Sequence, residues 1–112
     1  MNIPEIQKQI MQNKIDHGFN VSDVGQEFLY LYGEASEAYS AYSRKKPREE
    51  LGSELADTAI YLLGIAEMLH FDLEQEILNK MAINKRRIYK ELPTGEIVKI
   101  EPDINKNKED QI

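Results

Sequence analysis

The sequence predicts an all-α domain, a four-helix-bundle-like subunit completed by oligomerisation, and three observations carry that prediction. Apolar residues recur at helical rather than strand spacing in four separate stretches. Short polar or Gly/Pro-bearing segments punctuate those stretches. The third stretch is apolar on nearly every side, more than its short companions can cover within a chain of 112 residues.

In chain order, Pro4 suits the first turn of a first helix, and Ile3, Ile6, Ile10 and Ile15 follow at roughly helical spacing. Residues 16–20, with Gly18, read as a loop. Ser22 is the expected cap of a second helix over residues 22–43. Its apolar stripe is Val21, Val24, Phe28, Leu31, Tyr32, Ala35, Tyr39 and Tyr42. Arg44, Lys45, Lys46, Pro47 and Arg48 break the pattern with a basic connection. A third helix covers residues 47–70, and its apolar part, residues 55–69, is expected at or near the subunit interface of a homodimer or homotetramer. A fourth helix starts at Asp72, with Gln75 as capping-box partner, and runs to about residue 91. Pro93-Thr94-Gly95 is a turn, residues 96–100 a short extended segment, and residues 105–112 a polar, flexible tail. The expected division is a helical domain over residues 1–92 and a C-terminal segment over residues 93–112.

Composition narrows the function classes. Apolar residues make up 41 % and charged residues 30 %, an ordinary soluble balance. The run over residues 55–69 is too short for a membrane span, and Asp57 and Glu67 interrupt it. The opening residues, Met1 to Glu5, lack a basic region followed by an apolar stretch, so no secretion signal is expected. The lack of cysteine excludes disulfides, thiolate metal sites and cysteine nucleophiles, and it fits a cytoplasmic protein. A net charge of −6 argues against a nucleic-acid partner, whose backbone requires basic surface.

The charges themselves are unevenly placed. Glu34 and Glu37, and then Glu54 and Asp57, stand three apart in consecutive helices, so each pair shares one helical face. A short connection makes such helices antiparallel neighbours, which sets the two pairs opposite each other. No lysine or arginine occurs over residues 15–43 or 49–79, and the positions four residues on are Ala38, Ala41, Thr58 and Tyr61. The acids therefore lack the counter-ions of an ordinary exposed helix. Carboxylates crowded at the rim of a buried surface repel each other and require a cation. Their hard oxygen donors suit Mg2+, with Mn2+ as a substitute, better than zinc. Lys80, Asn84 and Arg87, spaced at i, i+4 and i+7, offer an ammonium, an amide and a guanidinium to a phosphate chain. Lys85, Arg86 and Lys90 read as ordinary late-helix cations.

Taken in order, these motifs resemble those of the MazG-like all-α nucleotide pyrophosphohydrolases. That family's pattern is E-x-x-E, then E-x-x-D, then K-x-x-x-N-x-x-R. Here the acidic motifs are Glu34 to Glu37 and Glu54 to Asp57, with sixteen residues between them, and the last is Lys80, Asn84 and Arg87. The resemblance covers about residues 21–89, and the segment from Glu54 to Leu63 followed by Asp72 looks especially like the dCTP pyrophosphatase branch. It implies Mg2+-dependent hydrolysis of a nucleoside triphosphate to the monophosphate and pyrophosphate, with a nucleotide-pool house-cleaning role. Glu34, Glu37, Glu54 and Asp57 would hold metal, and Glu37 or Glu34 would orient or deprotonate the water. Lys80, Asn84 and Arg87 would hold the phosphates, with Tyr61 against the sugar or base. The sequence departs from the pattern at Ser53, where many members carry a further acid. It also lacks tryptophan, leaving His17 and Phe19 as candidates beside the base. Two other readings stay open: a hydrolase of the same fold acting on phosphoribosyl-ATP or a damaged nucleotide, and a non-catalytic helical module that binds nucleotide or a partner.

Overall fold

The computed structural model describes residues 1–100; the polar tail expected over residues 105–112 lies outside the described residues. Four helices, α1 (Ile3–Asp16), α2 (Val24–Ser43), α3 (Arg48–Met68) and α4 (Leu73–Arg86), are followed by strands β1 (Ile88–Glu91) and β2 (Ile97–Ile100). They fall into two compact units, Met1–Glu74 and the residues from Gln75 on.

The helix starts follow from side-chain acceptors. Asn2 caps α1 by accepting from the Glu5 amide at 2.9 Å, with Pro4 in the first turn. For α2 the cap is Asp23 rather than the expected Ser22. The Asn20 carboxamide oxygen accepts from the amides of Ser22 and Asp23, and this turn carries the chain one residue further before the helix begins. The ends of α1, α2 and α3 share one design, with the residue after the cap in the left-handed region: Gly18 at φ 71°, Lys45 at φ 55° and His70 at φ 63°. In each, the next amide, that of Phe19, Lys46 or Phe71, closes on a carbonyl of the last turn. That reversal makes the loop between α2 and α3 only four residues long.

In the first unit α3 packs against both α1 and α2. The face that α2 buries is Glu27, Ala38 and Ala41, with Leu31 and Glu34 half-buried between them. Most of the apolar stripe read from the sequence lies elsewhere: Tyr32, Tyr39 and Tyr42 are 66 %, 70 % and 68 % exposed. The reason is steric, because alanines let two helix axes approach where a row of tyrosines would hold them apart. On α3 the buried residues are Gly64, Ile65 and Ala66, while Leu55, Ile60, Leu62 and Leu69 remain exposed. At Gly64 the close approach is to α1, since a Cβ there would stand 3.4 Å from Ile10 Cγ2.

Two polar side chains occupy the heptad that α1 turns inward. Gln7, 1 % exposed, donates to the Phe71 carbonyl at 2.7 Å and to Glu67 Oε1 at 3.2 Å, and its oxygen accepts from the Leu73 amide at 2.9 Å. It thereby joins α1 to the end of α3 and the start of α4. Lys14, on the same face, forms a buried ion pair with Glu27 of α2.

In the second unit α4 stops at Arg86, short of the residue-91 end expected from the sequence. Residues 88–91 are instead a strand, paired antiparallel with Ile97–Ile100 in the register Ile88 to Ile100 and Glu91 to Ile97. The β-branched and aromatic residues of both strands favour this pairing, and Gly95 at φ 89° allows the turn. Arg87 consequently lies just beyond the helix, not on the helical stripe expected with Lys80 and Asn84.

Candidate functional site

The packing of α2 on α3 brings three of the four expected acids together. One carboxylate oxygen each from Glu34, Glu54 and Asp57 lies within 4.8 Å of the others. Glu34 Oε2 and Glu54 Oε2 are buried and have no hydrogen-bond partner among the described residues. Burial raises the Glu34 carboxyl above its ordinary value of 4.5, and the charges of Glu37, Asp57 and Glu54 push it further. Glu54 is raised for the same reasons, burial first and then Glu37 and Asp57. Glu37 is exposed and outside the trio, but near enough to act on two of its members.

This donor set fits a hard divalent cation. Three carboxylate oxygens this close together, carried by two adjacent helices, are the hard donors that Mg2+ or Mn2+ takes. The two helices that carry them supply no nearby cation: α2 has no lysine or arginine, and α3 only Arg48 at its first position. Hydrogen bonds or a metal must offset such charge when it leaves water.

Beside the acids lies a cleft of about 590 Å³ formed by α1, α2 and α3. Its apolar walls include Ile10, Phe19, Tyr30, Ile60 and Tyr61, and Lys14 and Glu27 also line it. Tyr61 stacks obliquely on Tyr30, with ring centroids 5.8 Å apart. Burial raises the Tyr61 hydroxyl above its ordinary value, and the charges of Glu27 and Glu34 raise it further. Of the two loop aromatics singled out in the sequence, Phe19 lines the cleft. His17 stacks on Phe19 at 5.4 Å and donates through Nδ1 to the Asn13 carbonyl at 2.9 Å.

Lys80, Asn84 and Arg87 belong to the second unit. There Arg87 donates through Nη1 to Asn84 Oδ1 at 2.9 Å. Sequence reasoning missed Lys14, Asn20 and Glu27. A signal was present: Ile3, Gln7, Ile10 and Lys14 repeat as a heptad, so two polar residues occupy the buried face, whereas Ile15 is 55 % exposed.

No family model matches the chain. It is 33 % identical over 93 residues to a dATP/dGTP diphosphohydrolase of Salmonella phage PMBT28, covering 83 % of this chain and 30 % of the phage protein. Over 54 residues it is 39 % identical to dCTP pyrophosphatase 1 of Mus musculus, 48 % of this chain and 32 % of the mouse protein. The chain therefore spans about a third of the length of these curated relatives. Among solved structures it is similar to the cyanophage S-2L MazG-like pyrophosphohydrolase bound to dGDP and three catalytic Mn2+ ions per active site. That likeness has a TM-score of 0.67 and 25 % identity, covering 90 % of this chain and 99 % of that one.

Proposed function

The chain belongs to the MazG-like superfamily, and on that footing we propose that it is a divalent-metal-dependent pyrophosphohydrolase of nucleoside triphosphates. The observation that carries this reading is the trio Glu34, Glu54 and Asp57, with two buried carboxylate oxygens that have no hydrogen-bond partner among the described residues. The named activities of its relatives, on dATP and dGTP in the phage protein and dCTP in the mouse protein, support it. So does the solved neighbour, which holds a nucleotide together with Mn2+.

Glu34, Glu37, Glu54 and Asp57 would hold Mg2+, or Mn2+ in its place, and an ion bound there would supply charge neutralisation and Lewis-acid activation of water. Glu37, exposed at the edge of the cluster, is the better placed of Glu37 and Glu34 to orient that water and accept its proton. Attack at the α-phosphorus breaks its bond to the bridging oxygen, and pyrophosphate leaves with the electron pair. Tyr61 packs against the sugar or base, and the cleft beside it takes the nucleoside. Lys80, Asn84 and Arg87 contribute ammonium, amide and guanidinium contacts to phosphate and sugar oxygens.

The protein works as a homodimer or homotetramer, in the cytoplasm, in clearing the nucleotide pool. Among the described residues the fully buried apolar set is only Ala38, Ala41, Ile65 and Ala66, while the tyrosines of α2 and Leu55, Ile60 and Leu62 of α3 stay exposed. A second copy would cover that surface. Among the described residues no helix is long and apolar enough to cross a membrane.

The deciding experiment incubates the chain with standard and modified nucleotides and Mg2+ or Mn2+, scoring pyrophosphate against orthophosphate. Pyrophosphate release that Glu37→Gln and Asp57→Asn abolish is expected. No turnover of any nucleotide, or turnover indifferent to both substitutions, sinks the enzymatic reading. Light scattering after size exclusion tests assembly separately, and a stable monomer refutes it.

A further inference from the structure

The Lys14–Glu27 pair has no part in the chemistry above, yet it lines the cleft whose apolar walls are Ile10, Ile60 and three aromatic rings. A buried ion pair is a poor device for stability, because removing both charges from water costs about as much as their attraction returns. Its placement on a cavity gives it another use. Glu27, 2 % exposed, is held from both sides, its Oε1 by the Lys14 ammonium and its Oε2 by Asn20 Nδ2 at 3.0 Å. Asn20 cannot swing away. Its oxygen accepts from the Ser22 and Asp23 amides at 3.2 and 2.9 Å, and its amide also donates to the Asp23 carbonyl at 2.8 Å. The carboxylate is thus fixed before any ligand arrives, and each of its oxygens keeps a second lone pair. The ammonium likewise keeps N–H groups beyond the one given to Glu27.

We propose, resting on the pyrophosphohydrolase reading, that Lys14 and Glu27 select guanine nucleotides by reading the edge of the base in this cleft. Two parallel carboxylate acceptors beside an ammonium donor match one nucleobase edge. Guanine presents two adjacent donors, N1–H and the exocyclic amine, next to the O6 acceptor. Adenine and cytosine turn a ring-nitrogen acceptor toward the carboxylate, and thymine and uracil offer a single donor between two carbonyls. Hypoxanthine shares O6 and N1–H with guanine but lacks the amine, so it isolates one contact. The spacing along α2 suits a nucleotide lying in the cleft. Glu27 and Glu34 are seven residues apart on one face, about 10.5 Å of helix. Tyr61, one turn beyond Asp57 on α3, lines the same cleft as Glu27. The base edge therefore meets Glu27 while the phosphates reach the acidic cluster.

The test compares dGTP with dITP, dATP, dCTP and dTTP on the full chain, by pyrophosphate release with Mg2+. The expected result is a preference for dGTP over dITP of about tenfold or more in kcat/KM, carried by KM, since a buried charged acceptor loses its donor. In Glu27→Gln, checked for native helicity, that ratio falls to about twofold or less. Lys14→Met weakens dGTP and dITP alike, because both bases carry O6, and leaves their ratio in place. A pair that only holds helices together would lower stability without moving the ratio. Equal kcat/KM for dGTP and dITP in the unaltered protein overturns the proposal without any variant, and so does a ratio unchanged in folded Glu27→Gln. Pyrophosphate release without base preference removes this inference and leaves the enzyme. If no nucleotide turns over, calorimetry with dGMP and dIMP still decides: tighter binding of dGMP supports the pair as a reader of the amine, and equal or undetectable binding overturns it.

Discussion

Removing one member of the buried ion pair and then both separates its contribution to stability from its role in recognition. In Lys14→Met the apolar stem is kept and the ammonium lost, leaving the Glu27 carboxylate, 2 % exposed, with Asn20 as its one remaining donor. An ion stranded in this way costs about 3–5 kcal/mol. The surviving Asn20 contact puts the expected loss near the lower end, about 3 kcal/mol. For a chain of this size that corresponds to a fall in Tm of roughly 10 °C or more. Glu27→Gln strands the ammonium instead and is expected to cost a similar amount. The double variant leaves no buried charge and is expected to recover about 2 kcal/mol relative to the sum of the two singles. Urea unfolding followed by far-ultraviolet circular dichroism, at one protein concentration and without metal, gives all four corners of the cycle. Two singles that each cost less than about 1 kcal/mol and simply add would refute the reasoning, for the charges would then be solvated rather than buried.

Glu34 and Glu54 have carboxyls raised above the ordinary value of 4.5, so the folded protein binds protons that the unfolded chain releases. Their favourable contribution is complete below that ordinary value and is lost as pH rises through the raised one. The metal-free protein should therefore gain stability from these groups as pH falls from neutral toward that ordinary value, and saturating Mg2+ should reverse the trend by requiring ionised acids. Thermal melts across that range check it, and identical pH slopes with and without metal would count against a metal-binding cluster. Gln7→Met leaves the Phe71 carbonyl and the Leu73 amide without their side-chain partner, at an expected cost of about 2–4 kcal/mol. Faster hydrogen exchange at the Leu73 amide is its local signature. Lys45→Gly and His70→Gly relieve left-handed backbone at the two non-glycine helix ends and should each stabilise by about 0.5–1 kcal/mol in urea titrations. A loss in both would show that these side chains contribute more than the strain they bear.

The elements and the chemistry of the acids were legible in the sequence because each rests on local rules. Helical spacing, Pro4 in a first turn and the basic break before Pro47 depend on residues within one or two turns of each other, and α1 to α3 form close to their expected bounds. The spacing of Glu34, Glu54 and Asp57, with no cation on the same helical faces, likewise announced a cluster that the packing of α2 on α3 then assembled. Local rules failed where two distant segments compete for one. Residues 88–91 have residues a helix would accept, and only the pairing with Ile97–Ile100 makes them a strand. Apolarity also misled on α2, where the sequence marks the tyrosine side as the core and the structure buries Glu27, Ala38 and Ala41. Hydrophobic patterning reports which face is apolar, not whether the same chain covers it. Which acids fall within reach of one ion, and that Lys14 meets Glu27 across a cleft, depend on how helices cross. A sequence read one helix at a time carries no such information, so the tertiary structure alone decided them.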